Sequence, residues 1–290
     1  MARSLADKVV LITGASSGIG EAIALEVASE KAKVVLAARR EGVLNTVADL
    51  VQKRGGTPLV VPTDMADSNQ VEALAAKTLA EFGQIDVLVN NAGYGQVGAI
   101  EEVNESAVRQ QFDVNVFGLL ALTRQIIPAM RDRREGRIIN LSSVAGRISM
   151  PFMGIYNASK HAVEAISDSM RVELAPFGIQ TIVIEPGPVE TEFSRVAEKQ
   201  AAATVDANTS PYGPALEKMA ETIGNSSIAW TAERTAKLVV KAMTDENPSD
   251  RYTAFNGGKV MLGLLESLPA QWSDRLYFNL FGLDQLAKDE

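Results

Sequence analysis

Short apolar runs rich in Val and Ile alternate along the chain with longer segments whose apolar residues recur at helical spacing. Such alternation predicts a parallel sheet with helices on both faces, because each strand must be joined to the next by a crossover connection. The predicted strands are residues 8–13, 33–38, 59–62, 85–90, 137–142, 180–185 and 251–254. The predicted helices are residues 18–30, 41–53, 68–82, 104–131, 156–177 and 232–243. The sequence therefore predicts an α/β, Rossmann-like, doubly wound sheet of about seven strands, with its ligand crevice at the carboxyl ends of the strands.

Two segments interrupt or follow this alternation. Residues 189–228 are rich in Ala, Thr, Asn, Gly and Pro with weak periodicity, and so long an irregular connection predicts a substrate lid. Residues 257–290 contain amphipathic helical pieces, which predict a helical C-terminal extension. We expect residues 1–290 to form a single domain.

Composition excludes several kinds of chemistry. The chain has no cysteine, so disulfides and thiolate catalysis are excluded, and His161 is its one histidine, so no metal site is expected. We expect His161 to serve packing or the surface. A net charge of −8 disfavours nucleic acid as a partner. No apolar run reaches the length of a membrane span, so no stable membrane insertion is expected, and the short N-terminus of mixed charge favours a cytoplasmic location.

A glycine-rich turn joins the first strand to the first helix. Gly14, Gly18 and Gly20 have the spacing Gly-x-x-x-Gly-x-Gly. Glycines let the backbone approach a pyrophosphate, and the helix N-terminus offers free N–H donors. The alternative is a turn without a ligand, but its place between a strand and a helix favours a dinucleotide site.

Three further motifs accompany this turn: Asn90-Asn-Ala-Gly93, Tyr156-x-x-x-Lys160 and Pro186-Gly187. Together with Thr13-Gly-x-x-x-Gly-x-Gly20 they resemble the short-chain dehydrogenase/reductase family, in its single-domain branch. The resemblance spans roughly residues 8 to 190 in the right order. It implies an oxidoreductase that interconverts a carbonyl and an alcohol by hydride transfer, with Asn115, Ser143, Tyr156 and Lys160 as catalytic residues.

Tyr156 is the expected proton donor and acceptor. Lys160 follows one helical turn later, and a nearby ammonium favours the phenolate, so we expect a lowered pKa for Tyr156. By resemblance, Lys160 also holds the nicotinamide ribose, Ser143 donates a hydrogen bond to the substrate oxygen, and Asn115 holds a water near Lys160. Ser142 is the alternative to Ser143. Only one of the two can easily face the crevice, because successive side chains along a strand point in opposite directions.

The end of the second strand indicates the cofactor. Ala38 stands where an acidic residue would bind the ribose of NAD, and Arg39 follows it, so Arg39 is expected to bind the 2′-phosphate of NADP(H). Arg40 could share this contact, pair with Glu41 or point to water. The other residues expected at the cofactor, mostly by resemblance, are Ser16, Ser17, Ile19, Asp64, Met65, Asn91, Ala92, Gly93, Asn115, Tyr156, Lys160, Pro186, Gly187, Val189 and Thr191. Asp64 is also a candidate helix cap.

A mainly apolar set of residues is expected to line the substrate site, which favours a lipophilic carbonyl compound. The expected substrate contacts are Ser143, Ala145, Phe152, Tyr156 and Phe193, with Val97, Ile148, Met150, Met153 and Tyr212 nearby. The alternatives are a 3-oxoacyl thioester reductase of lipid metabolism, for which Arg195 and Lys199 are the available entrance cations, and a catalytically silent NADP-binding regulator.

The extension and the surface helices bear on assembly. The extension resembles that of hydroxysteroid and retinol dehydrogenases, and is expected to cover the lid, a subunit or a membrane surface. A homodimer or homotetramer through the two long helices is expected. The cluster Arg131, Arg133, Arg134 and Arg137 is expected to complement the carboxyl end of the helix before it.

Overall fold

The computed structural model describes residues 3–193, 195–197, 200, 209–224 and 229–286. The strands in these ranges are β1 (Val9–Thr13), β2 (Lys33–Ala38), β3 (Thr57–Pro62), β4 (Val87–Asn90), β5 (Gly136–Leu141), β6 (Ile179–Pro186), β7 (Val189–Glu190), β8 (Trp230–Thr231) and β9 (Arg251–Ala254). The helices are α1 (Gly18–Ser29), α2 (Glu41–Lys53), α3 (Ser68–Phe82), α4 (Glu105–Phe112), α5 (Leu119–Arg133), α6 (Gly154–Leu174), α7 (Gly213–Gly224), α8 (Ala232–Thr244), α9 (Gly258–Ser267), α10 (Ala270–Leu280) and α11 (Leu283–Leu286).

In the described part of the chain, seven parallel strands form one sheet in the order β3-β2-β1-β4-β5-β6-β9, and β7 pairs with β8 separately. The predicted doubly wound sheet is therefore confirmed. The chain crosses from one half of the sheet to the other between β3 and β4, so the strand order reverses beside β1. The carboxyl ends of β1 and β4 border the crevice that this reversal creates.

Alternate residues of each strand face opposite helical layers. Val10 and Ile12 of β1 are fully buried in the apolar cluster that contains α1, α2 and α8. Leu11, between them, is buried in the cluster that contains α3, α5 and α6. Both faces of the sheet are thus covered, which explains why its strands read as continuous apolar runs.

One long predicted helix is interrupted. Residues 104–131 form α4, then a π-helical turn over Asp113–Gly118, and then α5. A π turn closes hydrogen bonds five residues apart, so it inserts an extra residue that periodicity alone does not reveal. Helix 156–177 also differs at its ends: α6 begins at Gly154 and gives way to a 3₁₀ turn at Ala175–Phe177.

The lid and the extension are partly described. The described part of the predicted lid contains β7 and α7, whereas residues 194, 198–199, 201–208 and 225–228 lie outside the described residues. The predicted extension is helical, with α9, α10 and α11. Among the helices of the described ranges, none combines the length and apolar character that crossing a membrane requires. The assembly through the long helices stays a prediction.

The predicted role of the arginine cluster is wrong for Arg137. Its side chain, 3% exposed, donates to the carbonyl oxygens of Ala242, Met243 and Asp245, so it binds the carboxyl end of α8 instead of that of α5. Arg133 and Arg134 likewise bind carbonyl oxygens outside α5, those of Ile85 and Pro176, and Arg131 contacts Asp132 on the surface. Only the folded chain brings these carbonyl groups to the cluster.

Candidate active site

The glycine turn has a backbone that only glycine adopts easily. Gly14 and Gly18 have φ angles of 68° and 58°, and a Cβ on Gly20 would clash with the Gly14 carbonyl oxygen. The Ser17 side chain, at the N-cap of α1, forms no cap hydrogen bond in the described structure. The first N–H groups of α1 are therefore directed at the crevice without a side-chain cap, an arrangement suited to binding an anion.

Thr13 joins this turn to the end of β4. Its hydroxyl accepts hydrogen bonds from the N–H groups of Asn91 and Ala92, both at 3.0 Å. A Cβ on Gly93 would lie 3.6 Å from Lys160 Nζ. The predicted segment 91–93 thus runs from the glycine turn to the predicted catalytic lysine.

The two arginines after β2 have different surroundings. Arg40 donates to the backbone and hydroxyl oxygens of Ser16 and forms a salt bridge with Glu192 at 3.2 Å. Glu192 is distant in the sequence and was not among the expected partners of Arg40. Arg39 is exposed and has no hydrogen bond or salt bridge within the described ranges. Arg39 is therefore the cation at this strand end that is available to an anionic ligand.

Asp64 and Met65 lie at the carboxyl end of β3. Asp64 accepts a hydrogen bond from the N–H of Ala66, whereas the cap of α3 is Asp67, so Asp64 does not cap that helix. A Cβ on Gly118 would clash with the Met65 carbonyl, which shows how closely the π turn packs on this strand end.

The segment after β6 returns to the glycine turn. Pro186 ends β6, Gly187 follows it, and Val189 begins β7. Thr191 then packs on the start of α1, with its side chain 3.1 Å from a Cβ built on Gly18. The predicted residues of this segment therefore border the same crevice.

Tyr156 and Lys160 lie on consecutive turns of α6 and are 5% and 6% exposed. Lys160 Nζ donates a 2.7 Å hydrogen bond to the Leu141 carbonyl at the end of β5, and lies 5.9 Å from the centroid of the Tyr156 ring. The sheet thus holds the ammonium beside the ring without direct contact to the phenol.

Ser143 and Ser142 point to different neighbours. Ser143 caps a short 3₁₀ turn, accepts a hydrogen bond from Ala145 N at 3.1 Å, and donates to the Pro186 carbonyl at 3.4 Å, with its hydroxyl near enough to Tyr156 to favour the phenolate. Ser142 is buried and interacts with Glu164. Of the two serines, Ser143 is the one that faces the tyrosine.

Asn115 lies inside the π turn and is 1% exposed. Its amide oxygen accepts from Tyr94 N at 3.2 Å, and its amide nitrogen donates to Tyr94 O and to Ser159 Oγ, each at 3.1 Å. Asn115 therefore joins the loop after Gly93 to α6, and its expected role in holding a water stays a prediction.

Gln111 was missed by sequence reasoning. It is fully buried, accepts from Gln96 N at 2.7 Å and donates to Tyr94 O at 2.8 Å. It thereby sets the shape of the loop that begins at Tyr94. A glutamine on the inward face of a predicted helix was the available signal.

The pKa expected for Tyr156 is wrong in direction. Burial raises the pKa of Tyr156 to about 12, and the hydrogen bond with Ser143 offsets only part of this rise. Burial also lowers the pKa of Lys160 to about 8, against the opposing effect of Glu164. The Lys160 ammonium is directed at the Leu141 carbonyl, so the desolvation of the Tyr156 phenolate outweighs its attraction to the ammonium.

A pH-dependent stability difference follows from the Lys160 pKa. The unfolded chain holds this proton up to its ordinary pKa near 10.5, whereas the folded chain releases it near 8. The free energy of unfolding of the wild type should therefore rise relative to that of Lys160→Met as pH increases through this window. Urea unfolding of both proteins at the two ends of the window measures the change, and parallel pH profiles would contradict it. Tyr156, whose pKa rises from 10.0 to about 12 on folding, lowers the free energy of unfolding above about pH 10, but both proteins contain it, so its effect cancels in the comparison.

An apolar cluster surrounds the Tyr156 ring. Phe193 lies 5.6 Å from that ring between centroids, and Phe152 lies 5.8 Å from Tyr212. The cluster also contains Val97, Ala99, Ala145, Met150, Met153, Ala215, Leu216, Met219, Tyr277, Phe281, Leu283 and Leu286. Ile148 is the expected lining residue that lies elsewhere, in the wall of a neighbouring cavity. The members from the lid helix and the extension were not assigned from the sequence.

The chain is similar to known dehydrogenases over most of its length. Residues 8–202 match the family model of the short chain dehydrogenases. The chain is 35% identical over 276 residues to the probable short-chain type dehydrogenase/reductase VdlC of Helicobacter pylori, covering 93% of this chain and 96% of that protein.

Two solved structures are similar throughout most of the chain. A short chain dehydrogenase/reductase from Burkholderia phymatum in complex with NAD has a TM-score of 0.79 and 31% identity, covering 90% of this chain and 93% of that one. A metagenomic short-chain oxidoreductase in complex with NADP has a TM-score of 0.70 and 28% identity, covering 86% of this chain and 97% of that one. The fold and these relatives place the chain among the oxidoreductases. The chain belongs to the short-chain dehydrogenase/reductase family.

Proposed function

We propose that the protein is an NADP(H)-dependent oxidoreductase that interconverts a lipophilic ketone or aldehyde and the corresponding alcohol, with Tyr156 as general acid and base. The observation that carries this proposal is the meeting of Tyr156, Ser143 and Lys160 beside an open glycine turn, at the carboxyl ends of the central strands. Perturbed titratable groups in a crevice of this kind are typical of active sites.

The crevice fits a dinucleotide. The glycine turn excludes side chains where a pyrophosphate would approach, and the uncapped start of α1 offers N–H donors. Asn91, Ala92, Thr191 and the segment from Pro186 would hold the rest of the molecule. Bound nicotinamide would supply or accept the hydride.

Tyr156 would donate the proton in ketone reduction and accept it in alcohol oxidation. A phenol with a pKa of about 12 stays protonated at neutral pH, so it is ready to donate to the more basic oxygen of a developing alkoxide. Ser143 would donate a hydrogen bond to the same oxygen and stabilise its growing charge. The Lys160 ammonium would stabilise the phenolate that remains, and it is fixed in place by the Leu141 carbonyl.

The surroundings of Tyr156 support a lipophilic substrate. Phe193, Phe152 and the rest of the apolar cluster offer ring faces and methyl groups in place of charges. Arg195, an expected entrance cation of a thioester reductase, pairs with Glu192, and Lys199 lies outside the described residues. The placement of Ser143, Tyr156 and Lys160 next to one another in the crevice favours an active enzyme over a silent regulator.

Arg39 supports the choice of NADP(H). Arg39 directly follows β2 at the carboxyl edge of the sheet, and its exposed side chain has no hydrogen bond or salt bridge within the described ranges. A guanidinium can bind a phosphate in two-point fashion, and Ala38 provides no carboxylate to repel it.

Initial rates with NADPH and NADH test this proposal, with aryl ketones as the oxidant. We expect the wild type to prefer NADPH, and Arg39→Ala to raise the KM for NADPH roughly 10- to 100-fold while leaving the KM for NADH within about twofold. Lys77→Ala, which removes an exposed cation on α3, is the control and should match the wild type. A wild-type preference for NADH would refute the assignment of Arg39.

A further inference from the structure

The C-terminal extension reaches the apolar cluster around Tyr156. Phe281, which follows α10, is 2% exposed and belongs to that cluster. Tyr277, one turn earlier, stacks on Phe281 with ring centroids 6.1 Å apart. Part of the wall around the candidate substrate site therefore comes from the last helices of the chain.

The packing beneath the rest of the extension is incomplete. A cavity of about 560 Å³ separates α9 and α10 from the segment 147–151 that follows Ser143. Ile148 and Pro151 line one side, and Leu265 and Phe278 line the other. Because a cavity contributes little dispersion energy, the extension depends on the contacts at the edges of this space.

One of those edge contacts is a two-point ion pair. Arg147 Nε lies 2.7 Å from Glu266 Oε1, and another nitrogen of the same guanidinium donates to Glu266 Oε2 at 2.8 Å. Both side chains are 31% exposed, so the pair is partly shielded from water. Two-point contacts between arginine and a carboxylate fix orientation as well as distance.

Arg147 is itself anchored at the base of the site. It donates to Glu185 at 2.9 Å, and Glu185, which precedes Pro186, is 1% exposed. Arg251 lies 3.5 Å from Glu185 and 3.2 Å from Glu164, a residue of α6 one turn beyond Lys160. A continuous chain of charges therefore links Glu266 of the extension to the helix that carries Tyr156.

We propose that Glu266 is a positioning residue: through Arg147 it holds the C-terminal extension against the segment after Ser143, so that the extension closes the substrate site around large apolar carbonyl compounds. This inference rests on the proposed function. A small ketone, held by Ser143 and Tyr156, needs the extension less than a large one does. Glu266 acts on the wall and not on the reacting atoms, so it should affect KM and leave kcat unchanged.

The test compares Glu266→Gln with Arg275→Gln, which removes an exposed charge of the same extension outside the lining of the cavity. The probes are 2-acetylnaphthalene and the smaller acetophenone, each reduced with NADPH. For Glu266→Gln we expect the KM for 2-acetylnaphthalene to rise roughly three- to tenfold and the KM for acetophenone to change less than about twofold. Arg275→Gln should match the wild type with both ketones. A lost kcat with unchanged KM, or equal KM changes for both ketones, would overturn the inference.

Hydrogen exchange supplies a second readout that does not depend on turnover. Amides of α9 and α10 should exchange faster in Glu266→Gln than in the wild type or in Arg275→Gln, since the extension opens more often. If the wild type reduces neither ketone, the proposed function fails by itself, and the exchange comparison still decides the contact. Equal exchange in all three proteins would then overturn the inference, and faster exchange in Glu266→Gln alone would support it.

Discussion

Replacement of Tyr156 by phenylalanine is expected to lower the turnover number for ketone reduction by about 10³-fold, with NADPH affinity within about twofold of the wild type. The ring keeps its place, because Phe193 and the apolar cluster contact its carbon atoms. Only the hydroxyl near Ser143 is lost, and with it the proposed proton donor. Single-turnover reduction, with NADPH titrated separately by its fluorescence, measures both quantities.

Tyr212→Phe is the matched control. Its ring also packs edge-on in the cluster, against Phe152, while its hydroxyl donates to Glu101 at 2.6 Å, away from Tyr156. This variant should keep turnover within about threefold of the wild type. If Tyr156→Phe keeps more than a tenth of the wild-type turnover, the proton comes from another group and the proposed mechanism is wrong.

Arg137→Met should lower the free energy of unfolding by about 3–5 kcal/mol, because it leaves buried groups without a partner. The guanidinium donates to the last carbonyl groups of α8 from within β5, and at 3% exposure it is shielded from solvent. Burial lowers the pKa of Arg137 to about 10, so it remains charged at neutral pH. Methionine fills a similar length of space but donates no hydrogen bond.

Urea unfolding, followed by circular dichroism, measures this loss against Arg131→Met. Arg131 lies nearby in sequence but is half exposed, with Asp132 4.0 Å away, so its removal should cost less than about 1 kcal/mol. Equal stabilities for the two variants would show that the carbonyl groups of α8 find other partners when Arg137 is lost.

The sequence predicted the parts of this protein that depend on near neighbours. The glycine turn could be located because its spacing falls between a strand and a helix. Tyr156 and Lys160 could be placed on one face of a helix because residues four apart meet there. The seven strands of the sheet could be located from apolar runs, with errors of one or two residues at their ends, because backbone pairing determines where a strand ends.

Contacts between distant segments could not be predicted. Arg40 binds Glu192, which is 152 residues away in the sequence, and Arg147 binds Glu266, which is 119 residues away. Sequence reasoning instead looked for partners of Arg40 nearby, at Glu41 or in water. The prediction of a lowered pKa for Tyr156 was wrong for a related reason. The direction of the pKa shift depends on burial of the phenol and on the Leu141 carbonyl that binds Lys160, which are properties of the folded chain.

The π turn at Asp113–Gly118 also sets the angular phase between α4 and α5. One extra residue rotates the preceding side chains by about 100° relative to a continuous α-helix. Gln111 faces the loop at Tyr94 only in this phase, and Asn115 reaches Ser159 from inside the turn. A shortened copy of this stretch would aim both amides away from their partners even if every remaining residue were kept. The geometry of this part of the site therefore depends on the number of residues in the turn, which a substitution at an exposed position such as Phe117 leaves unchanged.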